Sequence, residues 1–114
     1  MDFIMEWGYD IKRGRMEEFQ EWLSANEKEY AQSLPEGCAY LGTFVTVHTS
    51  EKNAGTVRTL VRLDSYGAQD RIAAAGKEGG MFAKLAREST AFIDEDGGWS
   101  TVLMKAVVSA TIWD

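Results

Sequence analysis

Apolar residues at every second position mark four segments of this chain, and apolar residues at three- and four-residue steps mark the stretches between them. From Asp2 to Lys12, Phe3, Met5, Trp7, Tyr9 and Ile11 alternate with Ile4, Glu6, Gly8, Asp10 and Lys12. This predicts a strand with one aromatic side and one charged side. Gly14 ends it, and Met16, Phe19, Leu23, Asn26, Tyr30 and Leu34 then trace one face of a helix that stops at Pro35, Glu36 and Gly37. Glu17 and Glu18 fall in its first turn, where carboxylates meet the positive end of the helix dipole.

Between Tyr40 and Asp64 the pattern returns to period two on both sides of a loop from Thr49 to Gly55, predicting a hairpin. Pairing about that loop sets Leu41 opposite Leu63, Thr43 opposite Val61, Val45 opposite Thr59 and Val47 opposite Val57. The other face then carries Tyr40, Phe44 and His48 against Arg58, Leu60 and Arg62; a one-residue slip would exchange the faces. Asp64 or Ser65 can cap a second helix running to about Ala75, with Tyr66 and Ile72 inward. Gly76, Gly79 and Gly80 interrupt it, and Phe82, Leu85, Ser89 and Phe92 mark a further helix ending near Asp94. After a Gly97-Gly98 turn, Val102, Met104, Ala106 and Val108 alternate with Thr101, Leu103, Lys105 and Val107 in a last strand reaching the end of the chain.

Strand, helix, strand, strand, broken helix, strand is the order of the ferredoxin-like α+β fold, βαββαβ, with a four-stranded antiparallel sheet and helices on one face. One domain over residues 1–114 is expected, with the first and third strands central. The faces Phe3 to Ile11, Leu41 to Val47, Val57 to Leu63 and Val102 to Val108 are set against the helices. Glu6, Asp10, Phe44, His48, Arg58, Leu60, Arg62 and Lys105 fall on the opposite face, where charges of opposite sign occupy neighbouring strands among apolar residues. Such a face predicts a homodimer with the sheets facing each other; the alternative is that Arg58 and Arg62 hold an anionic ligand there.

Composition removes several partners. A net charge of -6 and a pI near 4.8 oppose a nucleic-acid backbone or an anionic membrane. No apolar run approaches the ~18 residues of a membrane span and the start lacks a signal-peptide pattern, so a cytoplasmic protein is expected. Cys38 and His48 are the only cysteine and histidine, which excludes a Cys/His zinc site. Neither metal nor cofactor is expected.

Candidate chemistry lies between helices and sheet. Trp7 and Tyr9 from the first strand, Asn26 and Tyr30 from the first helix and Phe82 from the last form a wall suited to an apolar molecule, aromatic or acyl, or else an ordinary filled core. Asn26 sits in an apolar stripe, where an unpaired amide costs about 1–3 kcal/mol and so needs a partner. Tyr9, Tyr30 and His48 are the groups that could position or deprotonate an oxygen-bearing substrate.

The run Tyr9-Asp10-Ile11-Lys12-Arg13-Gly14-Arg15-Met16-Glu17-Glu18-Phe19 resembles the opening of dimeric α/β barrel proteins and is similar to the antibiotic-biosynthesis monooxygenase, NIPSNAP and stress-responsive branches. The resemblance implies a ferredoxin-like chain pairing sheet to sheet as a dimeric α/β barrel, with a pocket between helices and sheet in each subunit. It implies activities ranging from cofactor-independent oxygenases and isomerases to proteins with no known reaction. The haem-degrading branch would need a first-strand Asn, a Trp after the third strand and a helical His; Trp7, Tyr66 and no histidine stand there. The expectation is a homodimer that binds a small apolar molecule, with a cofactor-independent monooxygenase or isomerase, or a structural or regulatory dimer without ligand, as alternatives.

Overall fold

A computed structural model of the chain describes residues 2–50 and 55–108. Its elements are β1 (Phe3–Tyr9), α1 (Met16–Ser33), β2 (Cys38–Val45), β3 (Val57–Leu63), α2 (Ala68–Lys77), α3 (Met81–Thr90) and β4 (Trp99–Lys105), with a short 3-10 turn at Glu95–Gly97. The strands order as β2-β3-β1-β4 and every pairing is antiparallel, with the helices on one face. This is the ferredoxin-like α+β arrangement. The expected barrel is not formed: the sheet is open, with β2 and β4 as edges that do not meet. Among the described residues no helix is long and apolar enough to cross a membrane.

The alternation in β1 and β3 decides which face meets the helices. Phe3 and Met5 pair with Leu63 and Val61, and all four are buried. With Ala68 and Ile72 of α2 and Phe82 of α3 they form the packed core. Full burial is worth about 1.5–3 kcal/mol for a residue such as Leu63, so these positions dominate the choice of face.

Two strands depart from the expected arrangement. In β2 a bulge between Tyr40 and Gly42 gives the strand one extra residue, Leu41, which is exposed. The bulge turns Tyr40 to the helix side, with Thr43, and leaves Phe44 outside. Tyr40 now pairs with Val61 and Thr43 with Thr59, so the register beyond the bulge lies two residues from the one expected. Val45 ends the strand half-exposed, and Val47 and His48 lie beyond it, exposed. Gly42 has φ 142°, and a Cβ there would come within 2.8 Å of the Phe44 ring, which occupies that space on the outer face.

The second departure is in β4, whose two faces are the reverse of those expected. Trp99, Thr101, Leu103 and Lys105 pair with Tyr9, Trp7, Met5 and Phe3, so they share the helix side, and Val102 and Met104 project outward, exposed. Two nearly equal apolar alternations run along this strand, and the hydrophobic pattern alone could not choose between them. Lys105 is thus not among the outer charges; its ammonium stands 5.2 Å from the Phe3 ring centroid.

Smaller differences have local causes. Gly76 lies inside α2, and the break falls at Gly79-Gly80. Gly67, not Asp64 or Ser65, precedes α2, and Asp64 instead pairs with Arg71 of that helix at 2.7 Å. Tyr66 is exposed, touching Phe3 only edge-on. Part of the loop Thr49 to Gly55 and the end of the last strand lie outside the described residues. The corrected β2 register makes a simple contrast: Leu63→Ala should lower stability by about 2–5 kcal/mol in urea unfolding, whereas Leu41→Ala should change it by less than about 0.5 kcal/mol.

Candidate functional site

The packed core fills one end of the space between helices and sheet, and a cavity of about 290 Å³ occupies the other. All four strands form its floor through Trp7 and Tyr9, Thr43, Thr59, and Trp99 with Thr101. Phe19, Trp22, Leu23 and Tyr30 of α1 and Phe82, Ala86, Ser89 and Thr90 of α3 form its roof, with Ile93 beyond. The cavity therefore arises where two helices bridge the sheet on large aromatic side chains.

Those aromatics hold one another. Phe19 is buried and meets Tyr9, Trp22 and Phe92 at centroid distances of 6.4, 6.2 and 5.9 Å. Tyr9 also contacts Trp99 at 5.7 Å, and Tyr30 contacts Phe82 at 5.6 Å. The Trp22 indole N–H donates to Glu88 across the helix pair at 3.0 Å, which fixes that ring's orientation. Arg15 stands 5.2 Å from the Phe92 centroid on the outside of the cluster. Rings packed in this way cannot collapse inward without losing their mutual contacts, so the space beneath them stays open.

Among the polar side chains that line the cavity, those of Tyr9, Thr59 and Thr43 are joined in one hydrogen-bonded run. Tyr9 and Thr59 oxygens lie 2.9 Å apart, Thr59 and Thr43 oxygens 3.0 Å, and Thr43 and Tyr40 oxygens 2.6 Å. The Tyr40 hydroxyl then donates to the Glu27 carboxylate on α1 at 2.6 Å. By contrast Ser89 and Thr90 turn their hydroxyls back to carbonyls of their own helix, at Ala86 and Arg87. The Tyr30 hydroxyl has no hydrogen-bond partner among the described residues.

Burial raises the pKa of all three tyrosines in this region. For Tyr9 burial is the leading cause. For Tyr30 the neighbouring Tyr9 adds to the effect of burial, and for Tyr40 the bond to Glu27 adds to it. The phenols are therefore neutral hydrogen-bonding groups near neutral pH. Among the described residues no histidine, cysteine, carboxylate or lysine lines the cavity, and no cluster could hold a metal ion.

Four of the five residues expected to meet a ligand come together here: Trp7, Tyr9, Tyr30 and Phe82. Asn26 does not; its amide donates to the Trp22 carbonyl at 2.8 Å, the local bond that satisfies a polar residue in a helical stripe. His48 is exposed beyond β2 and distant in role from the cavity. On the outer face Arg58 pairs with Glu6 at 2.6 Å, Arg62 approaches Asp2 at 3.8 Å, and Asp10 accepts from Thr56 at 3.2 Å. Phe44 lies there exposed, with Leu60 partly covered.

Thr43, Thr59 and Thr101, and also Trp22 and Trp99, line the cavity without having been expected to meet a ligand. The signal for Thr59 was present, since it is a hydroxyl between Val57 and Val61 on an inward face. Trp99 could not be placed without the strand register.

No protein-family model matches the chain, and no curated protein is similar to it in sequence. Solved structures are similar to it in fold. A NIPSNAP family protein from Agrobacterium tumefaciens superposes with a TM-score of 0.70 at 12% identity, over 98% of this chain and 99% of that one. The fold is shared with NIPSNAP proteins. An uncharacterized NIPSNAP domain protein from Burkholderia xenovorans gives 0.68 at 9% identity, over 95% and 97% of the two chains. A variant of SnoaB, a cofactor-independent oxygenase from Streptomyces nogalater, gives 0.55 at 12% identity over 93% of each. At these identities the likeness is one of fold alone.

The three raised phenols have a consequence for stability. Below the ordinary tyrosine pKa of 10.0 they are protonated in both folded and unfolded chains. Above it the unfolded chain releases these protons while the folded chain retains them, so stability should fall as pH climbs past about 10. Urea unfolding across that range should show the decline, and Tyr9→Phe should make it shallower.

Proposed function

We propose that the protein binds a small, largely apolar molecule, aromatic or acyl, in the cavity between α1, α3 and the sheet. The observation that carries this reading is the cavity itself: about 290 Å³ of space walled largely by rings and aliphatic groups, with the hydrogen-bonded Tyr9 and Thr59 side chains in its lining. Walls of this kind bury a ligand's apolar body, while a few placed hydroxyls fix its orientation. A filled structural core is disfavoured by the same space.

Binding is favoured over acid–base catalysis because the cavity's ionisable side chains are phenols with raised pKa values. A general base working near neutral pH needs a pKa close to that range. SnoaB, of similar fold, is a cofactor-independent oxygenase, so oxygen chemistry is the enzymatic alternative to test once a ligand is known.

We further propose that the protein forms a homodimer through the outer sheet face. Phe44, Val102 and Met104 are exposed there, and the Glu6–Arg58 and Asp2–Arg62 pairs neutralise the neighbouring charge within one chain. A neutral, apolar face suits a second copy of itself better than it suits an anion.

Trp7, Trp22 and Trp99 all line the cavity, so naphthalene should quench their fluorescence saturably. Ala86→Phe, which fills the space from α3, should weaken that binding by about tenfold or more with little loss of stability; unchanged affinity would place binding elsewhere. Native mass spectrometry at micromolar concentration should show a dimer, and Val102→Glu should shift it to monomer.

A further inference from the structure

Resting on the binding reading above, we infer that the cavity selects ligands that carry a hydroxyl or N–H donor, because a one-way run of hydrogen bonds makes Tyr9 an acceptor. The direction follows from counting protons. Glu27 as a carboxylate can only accept, and the Tyr40 hydroxyl donates to it at 2.6 Å. Each hydroxyl has one proton to give. Tyr40 has used its own, so the 2.6 Å bond with Thr43 is donated by Thr43. Thr43 is then committed, so Thr59 donates across 3.0 Å to Thr43. Thr59 is committed in turn, so Tyr9 donates across 2.9 Å to Thr59.

Tyr9 is the end of the run and lines the cavity. With its proton turned toward Thr59, its oxygen offers the ligand lone pairs and no donor. Alternating hydroxyls of this kind also polarise one another, which strengthens the preferred direction. A ligand with a phenolic or alcoholic O–H, an enol or an amide N–H satisfies Tyr9; an ether or a ketone of the same shape does not. The Tyr30 hydroxyl, free among the described residues, can donate to the oxygen of either kind, so the discrimination belongs to Tyr9. Glu27 lines no part of the cavity and sets the direction from the far side of Tyr40 as a positioning residue.

The test compares β-naphthol, its methyl ether and naphthalene by calorimetry on the full chain. The naphthol should bind about tenfold more tightly than the ether, the effect of one buried acceptor left unmatched. Tyr9→Phe should remove most of that difference while naphthalene binding persists. In Glu27→Gln the amide can give as well as accept a hydrogen bond, so the run loses its fixed direction and the preference should shrink with naphthalene affinity unchanged. A purely structural role for Glu27 would instead weaken all three probes together, and would overturn the inference. Equal affinity for the naphthol and the ether in the unmodified protein, or preference for the ether, would also overturn it while leaving the binding reading intact if naphthalene binds. Failure of all three probes to bind would overturn both.

Discussion

Thr59 sits 4% exposed on a central strand, and its hydroxyl must be hydrogen-bonded there. Thr43 and Tyr9 provide the bonds from the strands on either side. That requirement ties three strands together on the helix side of the sheet. It also calls for the β2 bulge, since without the extra residue Tyr40 would face outward and could not link Thr43 to Glu27 on α1. A single buried oxygen thus connects the register of the edge strand to the placement of the first helix.

The two ends of the helix layer answer different demands. Beside Phe3 and Leu63 the side chains from α2 are small or branched, Ala68 and Ile72, and the layers close into a packed core. Beside Tyr9 and Trp99 the helices present rings, and the contact of Tyr9 with Phe19 at 6.4 Å holds α1 away from the sheet. The cavity is the space left by that difference. The hydrogen-bonded run in its lining passes through Thr59.

Much of the fold was legible in the residues. The periods of β1 and β3 fixed their faces, since each has apolar residues on one side and charges on the other. The helix stripes placed Phe19, Tyr30 and Phe82 inward for the same reason. β4 was not legible: Thr101, Leu103 and Lys105 carry little less hydrophobic signal than Val102 and Met104, and only pairing with β1 decides between them. The β2 bulge was hidden because one extra residue leaves no mark in an alternating pattern that includes Gly42 and Thr43. The expected barrel failed at the same level, since closure depends on which edges meet and side-chain period says nothing of it. For the candidate site, Trp7, Tyr9, Tyr30 and Phe82 followed from facing direction alone. Asn26 did not, because its short bond to Trp22 already satisfies it within α1.

In the proposed reading the sheet's two faces divide the work: the outer one, with paired charges and exposed Phe44, is the self-association face, and the inner one is the ligand face. The most direct measurement of that division is a nuclear magnetic resonance titration of the isotopically labelled protein with naphthalene. The account predicts shifts concentrated at the indole N–H signals of Trp7, Trp22 and Trp99 and at the backbone of Thr59. Shifts concentrated instead at Arg58, Leu60 and Val102 would contradict it, placing the site on the opposite face of the sheet.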